Sequence, residues 1–456
     1  MKKTDENKNT KISFISLGCD KNLVDSEVML GIINKEGYVI TNDEAQADVI
    51  IVNTCGFILD ATEEGIENVI SAGEYKTKGN CKALIVTGCM AQRYKDDIFN
   101  EMPEVDAVVG TGDYVKIGQV IEETLGGKKV KMVTDINNLI NEELLENRIL
   151  STPSHYAYLK IAEGCDSHCT YCTIPSLRGK YRSRKLESLV REASNLCASG
   201  IKELILVAQD TALYGKDIYG RQELPKLLKA LSEIEELEWI RLLYCYPENI
   251  TDGIIAEIRD NPKVCHYIDM PIQSGDDEIL KRMGRKSSGG ELKEIIAKLR
   301  GEVPDIVLRT TLISGFPGES DEQFNNTLKL IEDIRFDKLG VFAYSPEDGT
   351  PAAKMPNQID DDIKEQRKDY ILEVQKKISA EICEAKVGKV YKVMVEGKLP
   401  EEGVYCARTY GDAAEIDGMV FFESNDDIMA GEFRNVLITA ASDYDLTGVL
   451  TDEFAQ

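Results

Sequence analysis

Six of the twelve cysteines in this 456-residue sequence fall into two sets of three. The tighter set is Cys165, Cys169 and Cys172, spaced C-x3-C-x2-C within EGCDSHCTYC. Cysteine binds metal as the thiolate, and three soft sulfur donors suit an iron–sulfur cluster with one iron left open. Structural zinc usually takes four ligands. No fourth cysteine lies close by, and His168, a conceivable fourth ligand, falls between the cysteines rather than at a paired spacing. The wider set is Cys19, Cys55 and Cys89, with 35 and then 33 residues between them. Each closes an apolar run: ISFISLGC, VIIVNTC and ALIVTGC. Any one of these could be a buried small residue, since free cysteine is among the most buried types. Three in equivalent positions favour ligation by the same open-iron chemistry.

The elements around them explain how distant cysteines can meet. From Lys11, β-type runs (KISFISL, ADVIIVN, CKALIVTG, DAVVG) alternate with helical patterns, which predicts βαβ units and a parallel sheet. The carboxyl ends of such strands share one edge, where open α/β sheets bind ligands, so Cys19, Cys55 and Cys89 are expected on that edge. Cys81 precedes its strand and is read as structural. The alternation restarts at Tyr156 with six further runs: AYLKIAEG, ELILVAQD, WIRLLYCYP, CHYIDMPIQ, DIVLRTTLISGFPG and KLGVFAYSPEDG. Six βα units predict a partial TIM-type barrel, with Cys165 directly after its first strand. A long charged helix follows, and the rest reads as a small β-barrel. The expected α/β organisation is an N-terminal cluster domain over 11–134, a polar linker over 135–154, a barrel with its exit helix over 155–385 and an antiparallel β-barrel over 386–451. Cys197, Cys245, Cys265, Cys383 and Cys406 fall inside elements and are read as structural.

The bulk composition excludes several classes. A formal net charge of −26 disfavours direct nucleic-acid binding, which needs clustered Lys and Arg. No apolar run approaches the roughly 18 residues of a membrane span. The N-terminal apolar run is too short for a secretory leader, so a cytoplasmic protein is expected. Cysteines scattered over such a length do not form a compact disulfide framework.

The C-x3-C-x2-C, with Tyr171 before its last cysteine, resembles the radical S-adenosylmethionine enzymes. That resemblance implies a 4Fe-4S cluster whose open iron chelates S-adenosylmethionine and cleaves it to a 5′-deoxyadenosyl radical. Three cysteines on an α/β domain, this barrel and a terminal β-barrel together resemble the methylthiotransferases over nearly the whole chain. The resemblance implies a second 4Fe-4S cluster on Cys19, Cys55 and Cys89 that carries the sulfur, and a terminal TRAM domain. SLGCDKNLVDSE, LVAQDTALYGKDIYG and FAYSPEDGTPAA look most like the branch that methylthiolates the β-carbon of an aspartate in small-subunit ribosomal protein S-twelve. The branch acting on tRNA adenosine, the alternative substrate, usually has Gln-Met-Asn where this chain has Asp20, Lys21 and Asn22. The resemblance also implies an electron donor such as flavodoxin or ferredoxin.

Within the barrel, Gln209 and Asp210 stand at a strand end, and Gly315, Gly318 and Glu319 follow another; Gln209, Gly315, Gly318 and Glu319 are candidate S-adenosylmethionine contacts. Turn chemistry and a carboxylate at a helix N-terminus are the alternative account of these residues. The run Arg178, Lys180, Arg182, Arg184, Lys185 is either a solvated face, with Ser183 as a helix cap, or a contact for an anionic substrate or the cofactor carboxylate. Residues 386–456 carry 14 Asp and Glu against 6 Lys and Arg, a net of −8. An acidic barrel repels phosphates and attracts a basic ribosomal protein. Glu415, Asp417, Asp426 and Asp427 make up the expected patch.

Overall fold

A computed structural model describes residues 9–137, 142–400 and 403–451. The N-terminal strands β1 (Lys11–Ser16), β2 (Val39–Ile40), β3 (Val49–Thr54), β4 (Ala83–Gly88), β5 (Ala107–Val109) and β6 (Val130–Met132) form one parallel sheet in the order 2-1-3-4-5-6. β3 and β4 are buried along their whole length, which is why their sequences are near-unbroken aliphatic runs. β2 and β6 are edge strands of two and three residues, too short to carry a readable pattern. Helices α1 (Asp20–Lys35), α2 (Leu59–Lys78) and α3 (Cys89–Tyr94) follow β1, β3 and β4.

β7 (Tyr156–Lys160) opens the second sheet and is followed by a ribbon of β8 (Ala162–Glu163) and β9 (Arg182–Ser183), between which lies the short helix α4 (Ile174–Arg178). β10 (Glu203–Val207), β11 (Trp239–Leu242), β12 (Val264–Asp269), β13 (Val307–Ser314) and β14 (Lys338–Ala343) complete a parallel sheet ordered 14-13-12-11-10-7. Six sequential βα units with two free edges make the expected partial barrel. Its outer face packs Leu159, Leu204, Leu206 and Ile240 against the helices. Its inner face is aromatic and polar, with Tyr156, Tyr158, Trp239, Arg241 and Tyr267. β15 (Val390–Lys398), β16 (Val404–Thr409), β17 (Val420–Glu423), β18 (Phe433–Ala441) and β19 (Leu446–Leu450) close a terminal barrel in the order 15-16-17-19-18. One of its pairings, β17 with β19, is parallel.

The inner face of the open barrel is filled from two directions. Leu23 and Val24 of α1 pack onto it from the side of the cysteines, with Met394, Ala413 and Ala414 of the terminal barrel on the same cluster. The loop after β16 meets the amino ends of the strands. Tyr156 donates to Glu415 at 2.7 Å, Tyr267 donates to Asp417 at 2.9 Å, and Lys338 pairs with Asp412 at 2.8 Å. Arg408 pairs with Glu203 at 2.7 Å and Glu396 at 2.6 Å, and Arg241 pairs with the other oxygen of Glu203 at 2.6 Å. One member of the expected acidic patch therefore faces inward: the Asp417 side chain is 4% exposed and lies beside Arg309, whereas Glu415 stays exposed while accepting from Tyr156. A buried carboxylate needs such partners, so the Asp417 charge is spent inside the molecule.

The polar segment before β7 is packed rather than loose where it is described. Arg148, with 1% exposure, pairs with Glu27 at 2.6 Å and Glu192 at 3.0 Å, and the Ser151 amide donates to Glu27. Residues 138–141 of the expected linker lie outside the described residues.

Candidate active site between two cysteine triads

β1, β3 and β4 are neighbours in the sheet, and their register aligns Ser16 with Asn53, Asn53 with Thr87 and Thr54 with Gly88. Cys55 and Cys89 are the next residues after β3 and β4, and Cys19 caps α1 after two more residues. Two glycines let the loops close. Gly18 has φ +92°, and a Cβ there would stand 2.9 Å from the Cβ of Cys55. Gly88 has φ +94°, and a Cβ there would stand 2.4 Å from the Thr54 carbonyl oxygen. The three thiols lie within electrostatic reach of one another. Burial pushes the Cys89 thiol up to about 12, with Cys19 and Cys55 adding to the rise and Arg178 opposing it. Burial likewise raises Cys55, and the amides of Phe57 and Gly56 oppose that.

The second triad lies on the loop between β8 and α4. The Ser167 amide donates to the Cys165 sulfur at 3.3 Å and the Ile174 amide to the Cys172 sulfur at 3.4 Å. Burial drives the Cys172 thiol up to about 12, and Cys169 and Cys165 raise it further. Thiols held protonated by burial become ligands only when a metal displaces the proton. Among the described residues no three His, Cys, Asp or Glu side chains are gathered tightly enough for a single metal ion.

The other expected site residues divide. Gln209 follows β10 and is 9% exposed; it donates to Glu163 at 3.2 Å while its Oε1 is buried without a partner. Gly315, Gly318 and Glu319 are clasped to other protein groups. A Cβ on Gly315 would meet Lys364 at 2.4 Å and one on Gly318 would meet Arg282 at 2.7 Å. Glu319 accepts from the Gly315 amide at 2.9 Å and pairs with Arg367 of the exit helix (Asp361–Glu384) at 2.7 Å. These three sit in a turn, with the Cβ side of both glycines already filled by Lys364 and Arg282.

The basic run is not one solvated face. Arg178 and Arg184 are buried in ion pairs, Arg184 with Glu192 at 2.6 Å, while Lys180 and Lys185 are exposed. Arg182 donates to the Arg178 and Lys180 carbonyls. Ser183 is not a helix cap: it donates to Asp217 at 2.6 Å, and Lys185 holds the cap position of the helix Leu186–Ala198.

Sequence reasoning missed Arg285. It is 8% exposed, its guanidinium stands 4.2 Å over the Tyr246 ring, and Nη2 donates to the Pro271 carbonyl. Its Nε and Nη1 are buried without partners, and it lies in the electrostatic range of Cys169 and Cys172. An isolated Arg in KRMGRKSS carries no signal of this. Asp210 adds a pH-sensitive group. Burial pushes its carboxyl up to about 7, with the Asn249 amide and the Tyr246 N–H opposing the rise. A carboxyl raised in the folded state keeps its stabilising contribution below about pH 4 and loses it as pH climbs to about 7. Metal-free Asp210→Asn protein should therefore lose less thermal stability than its parent between pH 5 and pH 8, by about 1.4 kcal/mol for each tenfold difference in proton affinity that the substitution removes. Parallel melts across that range check this.

Three family models match the chain: Uncharacterized protein family UPF0004 over residues 11–110, the Radical SAM superfamily over 159–331 and the TRAM domain over 387–450. A ribosomal protein uS12 methylthiotransferase RimO of Lachnoclostridium phytofermentans is 53% identical over 438 residues, covering 96% of this chain and 99% of that protein. One of Clostridioides difficile is 48% identical over 445 residues, covering 98% of this chain and 100% of that protein. The chain belongs to the RimO methylthiotransferase family. This RimO-family chain is a radical S-adenosylmethionine methylthiotransferase. Its fold is shared with the radical S-adenosylmethionine methyltransferase TsrM of Kitasatospora setae, solved with cobalamin and a 4Fe-4S cluster. That likeness has a TM-score of 0.55 at 14% identity over 87% of this chain and 77% of that one. No helix among the described residues of the RimO-family chain is long and apolar enough to cross a membrane.

Proposed function

We propose that this enzyme methylthiolates the β-carbon of an aspartate in ribosomal protein uS12, in the cytoplasm. The observation that carries this reading is the near full-length identity of 48–53% to RimO proteins named for uS12, joined to two cysteine triads whose flanking residues meet through Arg178, Asp25 and Asn22. Cys165, Cys169 and Cys172 would hold a 4Fe-4S cluster that, with S-adenosylmethionine, supplies a 5′-deoxyadenosyl radical. Cys19, Cys55 and Cys89 would hold a second 4Fe-4S cluster carrying the sulfur to be transferred. The donor sets fit, being three soft sulfurs each. The orphaned polar atoms fit too. Arg285 offers two buried N–H donors and Gln209 one buried acceptor, which is what the carboxylate and ammonium of an amino-acid cofactor need. Arg285 and Gln209 would orient the cofactor, and the packed inner face beneath them would keep water out. Reduction would come from a donor such as flavodoxin or ferredoxin.

The acidic terminal barrel supports a basic protein partner through the carboxylates that still face solvent. Glu423, Asp426 and Asp427 are exposed. Reversing these three charges should slow association with uS12 by about threefold to tenfold and flatten its salt dependence. Stopped-flow binding at two ionic strengths measures both. The substrate itself is tested by mass spectrometry of uS12 and bulk tRNA from cells lacking the enzyme. Loss of the methylthio group from the uS12 aspartate is expected. Loss from tRNA adenosine with uS12 unchanged would transfer the activity to the tRNA reading.

A further inference from the structure

We propose that Arg178 is a positioning residue that registers the two cysteine centres against each other and places positive charge at the N-terminal one; this rests on the two-cluster reading above. Arg178 ends α4, six residues after Cys172, and is 2% exposed. Its guanidinium reaches three other elements or loops. Nη1 donates to Asp25 at 2.5 Å and to Glu163 at 3.2 Å, and Nη2 donates to Asn22 at 3.0 Å. Asn22 and Asp25 lie on α1 three and six residues beyond Cys19, and Glu163 stands two residues before Cys165. Arg178 also stands within electrostatic reach of the Cys89 and Cys19 thiols. A single side chain thus holds groups neighbouring both triads. Only a planar fork with several donors at fixed angles can do this; a lysine ammonium is a point charge.

The rest of the seam shows that this is more than adhesion. Thr111 donates to the Leu177 carbonyl at 2.5 Å, and Arg93 pairs with Glu347 at 2.8 Å and donates to the Gly56 carbonyl at 3.0 Å. The N-terminal domain and the barrel are therefore held together without Arg178. Within the cluster Lys160 supplies a second buried cation, paired with Asp25 and, at 2.7 Å, with Glu163. Two cations meet two carboxylates, so the network is balanced by itself. The groups facing it from the surrounding elements are Tyr114, Cys19 and Cys89. Any anionic charge gathered at the N-terminal triad is therefore felt by a guanidinium already fixed in place. A cation so placed favours the reduced form of a redox centre. Group transfer between two centres is steeply sensitive to their spacing, a displacement of about 1 Å sufficing for a loss near a hundredfold.

Two variants of the full, anaerobically reconstituted protein separate registration from charge. Arg178→Lys keeps the charge and loses the fork. It should raise the 5′-deoxyadenosine formed per methylthio product at least tenfold while the midpoint potential of the N-terminal centre stays at the parent value. Arg178→Gln loses both and should also shift that potential to more negative values. The potential is read by EPR-monitored titration in a Cys165→Ala/Cys169→Ala/Cys172→Ala background, where only the N-terminal centre remains. Failure of Arg178→Gln to load iron while Arg178→Lys loads normally would support the charge role. A parent-like product ratio in Arg178→Lys, or an unmoved potential in an iron-loaded Arg178→Gln protein, would overturn the proposal. A parent protein holding only about four irons would instead sink the two-cluster reading beneath it.

Discussion

Replacing Cys19, Cys55 and Cys89 together by Ala should give a protein that binds about four irons instead of about eight, still cleaves S-adenosylmethionine, and makes no methylthio product. The expectation follows from where the two triads stand. Cys165, Cys169 and Cys172 sit on their own loop between β8 and α4, and the amides that approach their sulfurs, from Ser167 and Ile174, come from that loop. Neither of those two amides comes from the N-terminal domain, although Arg178 and Thr173 join the flanks of the loop to it. Cys19, Cys55 and Cys89 belong to three neighbouring strand ends of another sheet. Substituting the barrel triad should likewise halve the iron, and it should abolish 5′-deoxyadenosine. Iron analysis, with chromatography of 5′-deoxyadenosine and mass spectrometry of the peptide product, measures all three quantities. Full iron retention in either triple variant would refute the assignment of that triad. Loss of deoxyadenosine in an N-terminal variant that keeps its barrel iron would refute the separation of roles.

Glu203→Gln should destabilise the protein by about 3–5 kcal/mol, a large effect for one atom pair exchanged. Glu203 has no exposure and stands between Arg241 and Arg408, which have none either. Both guanidinium groups hold its carboxyl below the usual carboxylate range against the upward push of burial. Removing the negative charge leaves two buried cations facing each other without their shared partner. Glu203→Gln/Arg408→Met removes one charge of each sign and should recover much of the loss. A carboxylate whose folded value is depressed contributes stability above about pH 4, lost as pH falls through the folded value. The penalty of Glu203→Gln should therefore shrink in acid. The sole tryptophan, Trp239, packs edge-on against Phe433 at 5.0 Å across the same junction, so denaturation followed by its fluorescence reports on the event directly. A Glu203→Gln protein within about 1 kcal/mol of its parent would refute the argument.

Much of this architecture is legible in the sequence because strand periodicity and strand-end position are local signals. Cys55 and Cys89 follow unbroken aliphatic runs, and a parallel sheet forces such positions onto one edge. The six barrel strands could be read in the same way. Arg178 and Asp25 could not, because they are 153 residues apart and a long-range ion pair leaves no periodic trace. Nor could the inward turn of Asp417, since composition counts charges without saying which face they meet. Gly315 and Gly318 show the converse. Positive φ is a turn requirement whether a ligand or a neighbouring helix approaches, and here Lys364 and Arg282 fill that space.

The loop that stoppers the barrel floor comes from residues 409–417, C-terminal to every strand of the sheet it covers. N-terminal regions fold first during synthesis. Until those residues emerge, Tyr156, Trp239 and Tyr267 line a floor with no cover, and Glu203 and Arg241 lack Arg408 and the Tyr410 carbonyl. A chain cut short before Val404 would expose a contiguous apolar and aromatic patch of the kind that drives aggregation. A stop before Val404 should thus yield insoluble protein rather than a radical-forming fragment.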